Sequence, residues 1–289
     1  MRTPRLPSSA PLAASLAVLV LGLSACSGAS AAADADTAAE TPAETAADAI
    51  VAAADPSLLP YNFLGDDGAT WEGINVDLAA ALSEQLGREI TFESAGFDTI
   101  IPGLASGRYD MALTGMFDTK ERQETVDFVD YLLAENNFLT RSDFRDVVDM
   151  DDLCGVAVGI PGGALEGSLL ATASETCVAA GEPAIVVSEF ADLDATVLAL
   201  TSGRIDVTPN DSAANAYILS QNEDALKVSG GYLNEGYFAA AFPKDSELTS
   251  QVEDAFTAII ADGTYATILE TWGIPSRGLD APIVNGSPF

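Results

Sequence analysis

The fourteen residues from Phe97 to Asp110, FDTIIPGLASGRYD, return 96 residues later as Leu193 to Asp206, LDATVLALTSGRID, with six of the fourteen identical. Each copy reads as a helix stopped by a glycine, Gly107 or Gly203, followed by a turn into a strand. Helix–glycine–strand units are common, and the shared L-x-S-G-R-x-D ending is what marks these two as copies of one plan. Two copies at this spacing predict two α/β lobes of similar design. In open α/β sheets ligands bind beyond the carboxyl ends of the strands. The segments Met111 to Arg122 and Val207 to Asp211 are therefore expected to face whatever is bound.

The surroundings of the first copy have the same rhythm. Ala49 to Ala54 reads as a buried strand, and Glu89 to Phe92 as a second. Between them, Asn75 to Leu86 carries Val76, Leu78, Ala79, Leu82 and Leu86 at helical spacing and stops at Gly87. With 289 residues, 48% of them hydrophobic, the chain can bury one large core or two smaller ones.

Charge narrows the partners. Forty-four acidic residues face twelve basic ones and no histidine, a net charge of −32. No basic stripe is available for nucleic acid, and an anionic membrane surface repels such a chain. The acidity reads as solubility in an extracellular setting. Without histidine the chain lacks the usual general base and the commonest metal ligand, and its three cysteines fit no zinc spacing. Neither metal nor cofactor is expected.

The N-terminus reads as an export signal over residues 1–25: Arg2 and Arg5, then the apolar run Leu12 to Leu23, too short to span a bilayer. Leu23-Ser24-Ala25-Cys26 resembles the bacterial lipobox, which implies that Cys26 is lipidated and becomes the new N-terminus. Cleavage there leaves ten basic residues against 44 acidic, a net charge of −34, so only the lipid holds the protein at the membrane. Residues 26–49 follow as an acidic, alanine-rich tether, with eleven alanines, five acids and no aromatic between 27 and 49. As a flexible coil it reaches roughly 25 Å.

Further stretches carry a resemblance. Gly73-Ile74-Asn75-Val76-Asp77-Leu78, Phe97 to Leu104, Asp118-Thr119-Lys120-Glu121-Arg122 with Val126-Asp127-Phe128 after it, and Asp262-Gly263-Thr264-Tyr265 before Trp272-Gly273 stand in order. In this, residues 50–275 resemble the amino-acid-binding proteins of bacterial ABC importers, the polar amino acid family. The resemblance implies an α/β, two-lobed periplasmic-binding-protein (Venus-flytrap) fold, two βαβ lobes joined by a two-strand hinge. Residues 50–136 and 231–276 would form lobe 1, 137–230 lobe 2 and 277–289 a C-terminal tail. It implies no catalysis: the protein captures an amino-acid-like solute by lobe closure and delivers it to a permease, as a lipid-anchored monomer on the extracytoplasmic face of the cell membrane.

By the same resemblance, Arg122 holds the ligand's α-carboxylate, a task for which a guanidinium offers two parallel donors. Asp211 accepts from the α-ammonium, and the same aspartate can cap a helix from Ala213 to Leu219. Phe97 covers the ligand side chain, while Asp55 and the backbones of Thr114 and Gly115 match other contact positions. Three positions depart from the family. Phe117 replaces a hydroxyl residue, Gly163-Ala164 replaces Gly-Thr, and Leu58 replaces a tyrosine. Arg122 is the sole cation among these positions, which favours a neutral, apolar or aromatic amino acid over aspartate or glutamate.

Two other functions on this fold are set aside. A sensor domain needs a transmembrane helix, and no apolar run of 18 residues occurs. A cyclic-acid dehydratase needs a positioned acid or base, for which Glu166 beside Gly163-Ala164 is the nearest candidate. With Cys26 assigned to lipid, Cys154 and Cys177 are expected to pair in a compartment that permits disulfides.

Overall fold

The computed structural model describes residues 49–230 and 235–287. The signal peptide, Cys26 and all of the tether but Ala49 lie outside the described residues. The first half opens with β1 (Ile50–Ala54) and a small sheet of β2 (Ser57–Leu58), β3 (Asn62–Leu64) and β4 (Trp71–Glu72). Helix α1 (Ile74–Leu86) buries Ile74, Leu78, Ala79 and Leu82 and stops at Gly87. Then β5 (Ile90–Ser94), α2 (Phe97–Ala105) and β6 (Met111–Phe117) complete a parallel sheet of order β5-β1-β6. After the single-turn α3 (Lys120–Gln123), the 16-residue strand β7 (Val126–Arg141) carries the chain onward.

The second half repeats the plan. A 3-10 turn (Met150–Leu153) leads into β8 (Ala157–Pro161), α4 (Glu166–Ala179), β9 (Val186–Phe190), α5 (Leu193–Thr201) and β10 (Val207–Asp211), with parallel order β9-β8-β10. Helix α6 (Ser212–Gln221) and β11 (Leu226–Ser229) return the chain alongside β7, and β12 (Glu235–Pro243) runs antiparallel to β6 and β7. Helices α7 (Glu247–Ala261) and α8 (Thr264–Thr271), a turn (Pro275–Arg277) and β13 (Gly278–Val284) follow. Each parallel trio is thus closed by an antiparallel strand arriving from the other half, β12 beside β6 and β7 beside β10. This is the two-lobed α/β fold expected.

The repeat has a physical basis in its caps. In α2 the Gly107 N–H donates to the Leu104 carbonyl and the Arg108 N–H to that of Gly103; in α5, Gly203 donates to Leu200 and Arg204 to Ala199. Both glycines sit at left-handed φ, 72° and 74°, as this helix ending requires. The next strands enter alike, Asp110 N–H donating to Val51 and Asp206 N–H to Ala157. Strand pleating divides the core: Ala52 joins the cluster of Leu78, Tyr131 and Phe256, while its neighbour Ala53 joins that of Ile100, Leu104 and Phe128. In the second half, Val158, Ile160, Leu170 and Cys177 form one cluster and Leu200, Ile205 and Ala214 another. Cys154 and Cys177 are disulfide-bonded, with 5.6 Å between their Cα atoms.

One expectation is corrected. The described part of the segment read as a tail, residues 277–287, packs on the folded body: β13 pairs antiparallel with β7 at Val129, Asp130 and Leu132. The interior backbone of β7 needs hydrogen-bond partners, and this segment supplies them. Asn285 closes on Phe128 through both its N–H and its side chain, and the Gly286 N–H donates to Asp130.

Candidate functional site

The carboxyl ends of the two parallel trios converge on one cavity. Its walls come in matched pairs. Asp55 follows β1, and Ala164 follows the equivalent β8; Phe97 and Leu193, the first residues of the two repeat copies, face the same space. Arg122 lies beyond β6, and Asp211 ends β10. Contacts cross the cleft, including the Leu193 N–H to the Ser57 hydroxyl at 3.3 Å.

Arg122 is placed by α3. Thr119 caps that turn by accepting from the Arg122 N–H at 3.2 Å, which turns the side chain back toward β6. Its guanidinium donates to the Phe117 carbonyl at 2.7 Å and, across the cleft, to the Gly163 carbonyl at 2.9 Å. It lies 5.5 Å from the centre of the Phe97 ring. Burial pulls its pKa below the usual arginine range, against the opposing charges of Glu166, Glu121 and Asp118. Among the described residues no carboxylate lies within ion-pair distance, 4.0 Å, of it.

Asp211 is held differently. One carboxylate oxygen caps α6, accepting from the N–H groups of Ala213 and Ala214 at 2.9 and 3.1 Å, and also accepts the Tyr61 hydroxyl at 2.9 Å. The other is in a 2.7 Å ion pair with Arg277, whose guanidinium also donates to Tyr61 and to the Ser212 hydroxyl. Arg277 is only 7% exposed. Among the described residues that line the cavity Arg122 is the one cation, and a second cation, Arg277, sits directly behind Asp211. It stands in the segment read as a tail, and its isolated basic charge after Pro275-Ser276 gave no periodic or motif signal.

Glu166 enters the cavity at the start of α4, buried, with the Asn136 amide donating to it. Burial pushes its pKa up, countered by the charge of Arg122 and by Asn136. It too lacks an ion-pair partner within 4.0 Å among the described residues. Asn136 on β7 and Asn210 on β10 both line the cavity, and the side-chain oxygen of one and nitrogen of the other are buried without partners among the described residues. Polar residues in a buried strand are the sequence signal that could have marked Asn136. Burial raises the Asp55 pKa, opposed by hydrogen bonds from Ser57.

Of the nine residues read from the sequence, Asp55, Phe97, Gly115, Phe117, Arg122, Ala164 and Asp211 line the cavity. Thr114 does not; its hydroxyl accepts the Asp55 N–H at 2.9 Å and supports that loop. Gly163 stands just behind, holding Arg122 through its carbonyl. Leu58 lines the cavity and touches the cores of both halves, and its side chain fills the space a Cβ on Gly115 would need. The Phe117 ring meets Phe238 edge-on at 5.0 Å, and with Leu58 and Ala164 these residues give the cavity its apolar lining.

Among known proteins, the arginine-binding protein ArgT of Corynebacterium glutamicum is 30% identical, over 83% of this chain and 79% of its own. An ancestral arginine-binding protein solved with bound arginine shares 29% identity and superposes with a TM-score of 0.71, covering 78% of this chain and 97% of that one. Its structure with bound glutamine gives the same identity and coverage and a TM-score of 0.70. Residues 50–275 match the family described as bacterial extracellular solute-binding proteins, family 3. With its two lobes, its cleft cavity and this match over most of its length, the chain belongs to the bacterial extracellular solute-binding proteins of family 3.

Proposed function

We propose that this solute-binding protein captures a basic amino acid or a close analogue and hands it to the permease of an ABC importer. The observation that carries the reading is a pair of charges lining one cavity, Arg122 and Glu166 with Asn136, neither of which has an ion-pair partner within 4.0 Å among the described residues. A solute carboxylate on Arg122 and a cationic group against Glu166 and the Asn136 carbonyl oxygen satisfy both. Phe97, whose ring centre lies 5.5 Å from the Arg122 guanidinium, covers the stem between them. The arginine-binding relatives point the same way. A neutral apolar ligand would leave Glu166 buried without an ion-pair partner, which outweighs the apolar contacts of Leu58 and Phe117.

In this reading residues 50–136 and 231–276 form one lobe and 137–230 the other, and closure happens where β7 and the return into β12 cross between them. Ligand shifts that equilibrium only by its preference for the closed form. Going from 1:99 to 99:1 takes on the order of 5.5 kcal/mol, within reach of two desolvated charge pairs. Lipid on Cys26 keeps the single chain at the membrane; Cys26→Ser should release it or block processing, and an unchanged membrane fraction would refute the anchor. Calorimetric titration of the mature chain with the twenty amino acids tests the ligand reading. Heat from arginine, lysine or histidine is expected, and binding confined to apolar or acidic amino acids would overturn it.

A further inference from the structure

Asp211 is already a neutralised carboxylate. Three donors, Tyr61 and the N–H groups of Ala213 and Ala214, converge on one oxygen, and Arg277 holds the other at 2.7 Å. A carboxylate has about four acceptor positions, two to each oxygen, so the first oxygen is filled and the position left on the second lies beside the guanidinium. An ammonium brought to Asp211 would therefore have to displace a buried guanidinium or stand beside it as a like charge. Displacement is hindered because Arg277 has other partners, Ser212, Tyr61 and Glu135 at 3.9 Å. Arg277 is also anchored from behind, its turn leading into β13, which pairs with β7. The cation thus reaches across from the α8 side of the fold to the residue that ends β10, and it backs the carboxylate that lines the cavity.

We propose that Arg277 is the resident counter-ion of Asp211, so that the cavity takes a carboxylate-bearing cation whose α-amino group is dispensable. An ω-guanidino or ω-amino carboxylic acid should then bind about as well as the parent α-amino acid. The inference rests on the reading of Arg122 and Glu166 as the two poles of the solute. It departs from the role that sequence resemblance gives Asp211, and from that role alone.

The test compares matched pairs by calorimetry on the mature chain: arginine with 5-guanidinopentanoate, lysine with 6-aminohexanoate, and histidine with 3-(imidazol-4-yl)propanoate. Loss of the α-amino group should change Kd less than tenfold in the natural protein. In Arg277→Gln, which uncovers Asp211, the α-amino acid should gain at least tenfold over its partner. A loss of tenfold or more in the natural protein, with the parent amino acid binding, overturns this proposal and leaves the proposed function standing. If no member of any pair binds, both fall. Thermal unfolding without solute gives a second reading: Asp211→Asn and Arg277→Gln should be strongly non-additive when combined, and additive shifts would overturn the counter-ion role.

Discussion

The two repeat copies build the same backbone and then diverge within a few residues. After the first, β6 runs through a loop to α3, and the charge delivered, Arg122, is held by two main-chain carbonyls. After the second, β10 passes directly into α6, and the charge delivered, Asp211, is spent on a helix cap and a buried ion pair. One wall offers a charge that still lacks a counter-ion, the other a charge already matched. Fold symmetry therefore does not carry over into chemistry. The two residues should fail in different ways when removed. Asp211→Ala leaves Arg277 buried without its partner and α6 uncapped, which should cost about 3–5 kcal/mol of folding stability. Chemical denaturation measures this, and an unfolding midpoint within error of the natural protein would break the comparison.

Arg122→Ala should do the opposite. It removes two hydrogen bonds to carbonyls at a half-buried position, so folding should lose about 1–2 kcal/mol. Solute affinity should fall by about 2–5 kcal/mol, the usual consequence of leaving a carboxylate in a cleft without its charged partner. Calorimetry with whichever amino acid binds, beside a denaturation curve, separates the effects. Equal losses in stability and affinity would mean that Arg122 is a structural clamp between Phe117 and Gly163 rather than a reader of carboxylate.

The halves also differ in how they are braced. Cys154 and Cys177 tie the 3-10 turn of the second half to α4, whereas residues 50–136 and 231–276 contain no cysteine. Closing a loop of this length is worth about 3 kcal/mol in the chain-entropy model. Reduction should lower hydrogen-exchange protection in β8, β9 and α4 while sparing β1, β5 and β6. Uniform loss across both sets would show that the two halves unfold as one unit.

The sequence is legible along the same division. The repeat, the Gly87, Gly107 and Gly203 stops and the Asp211 cap are local signals, set by backbone geometry over a few residues, and each is found in the structure. Arg122 and Phe97 were singled out by the family resemblance, and both line the cavity, Phe97 at the start of the first unit and Arg122 on the turn beyond its strand. Arg277 was not, since its role depends on a partner 66 residues away and on a strand pairing that only the folded sheet creates. Glu166 was visible only as an acid beside Gly163-Ala164, and its partner Asn136 sits 30 residues earlier on β7. The polar part of the cavity is assembled from such distant pairs, whereas Phe117, Ala164 and Leu58, the three apolar departures, line the same cavity and were legible one by one.

The finest comparison is between the two glycine stops themselves. Gly107 and Gly203 share left-handed φ, share the two-bond helix ending, and have open space around the position a Cβ would take: nothing lies within 4 Å at Gly107, and only the end of the flexible Arg141 side chain, at 4.0 Å, at Gly203. Steric cost then comes from backbone conformation alone, about 1–2 kcal/mol for an L-residue in this region, offset by somewhat under 1 kcal/mol because alanine restricts the unfolded chain. Gly107→Ala and Gly203→Ala should each lose about 1 kcal/mol and differ by less than about 0.5 kcal/mol, the spread expected for substitutions with no new contacts. Urea denaturation of both variants measures the difference. A gap above about 1 kcal/mol, twice that spread, would show that the two units are alike in shape but not in strain. The cause would then lie in the arginine next to each glycine: Arg108 is paired with Glu93 at the surface, whereas Arg204 lies 5.2 Å from the Phe190 ring.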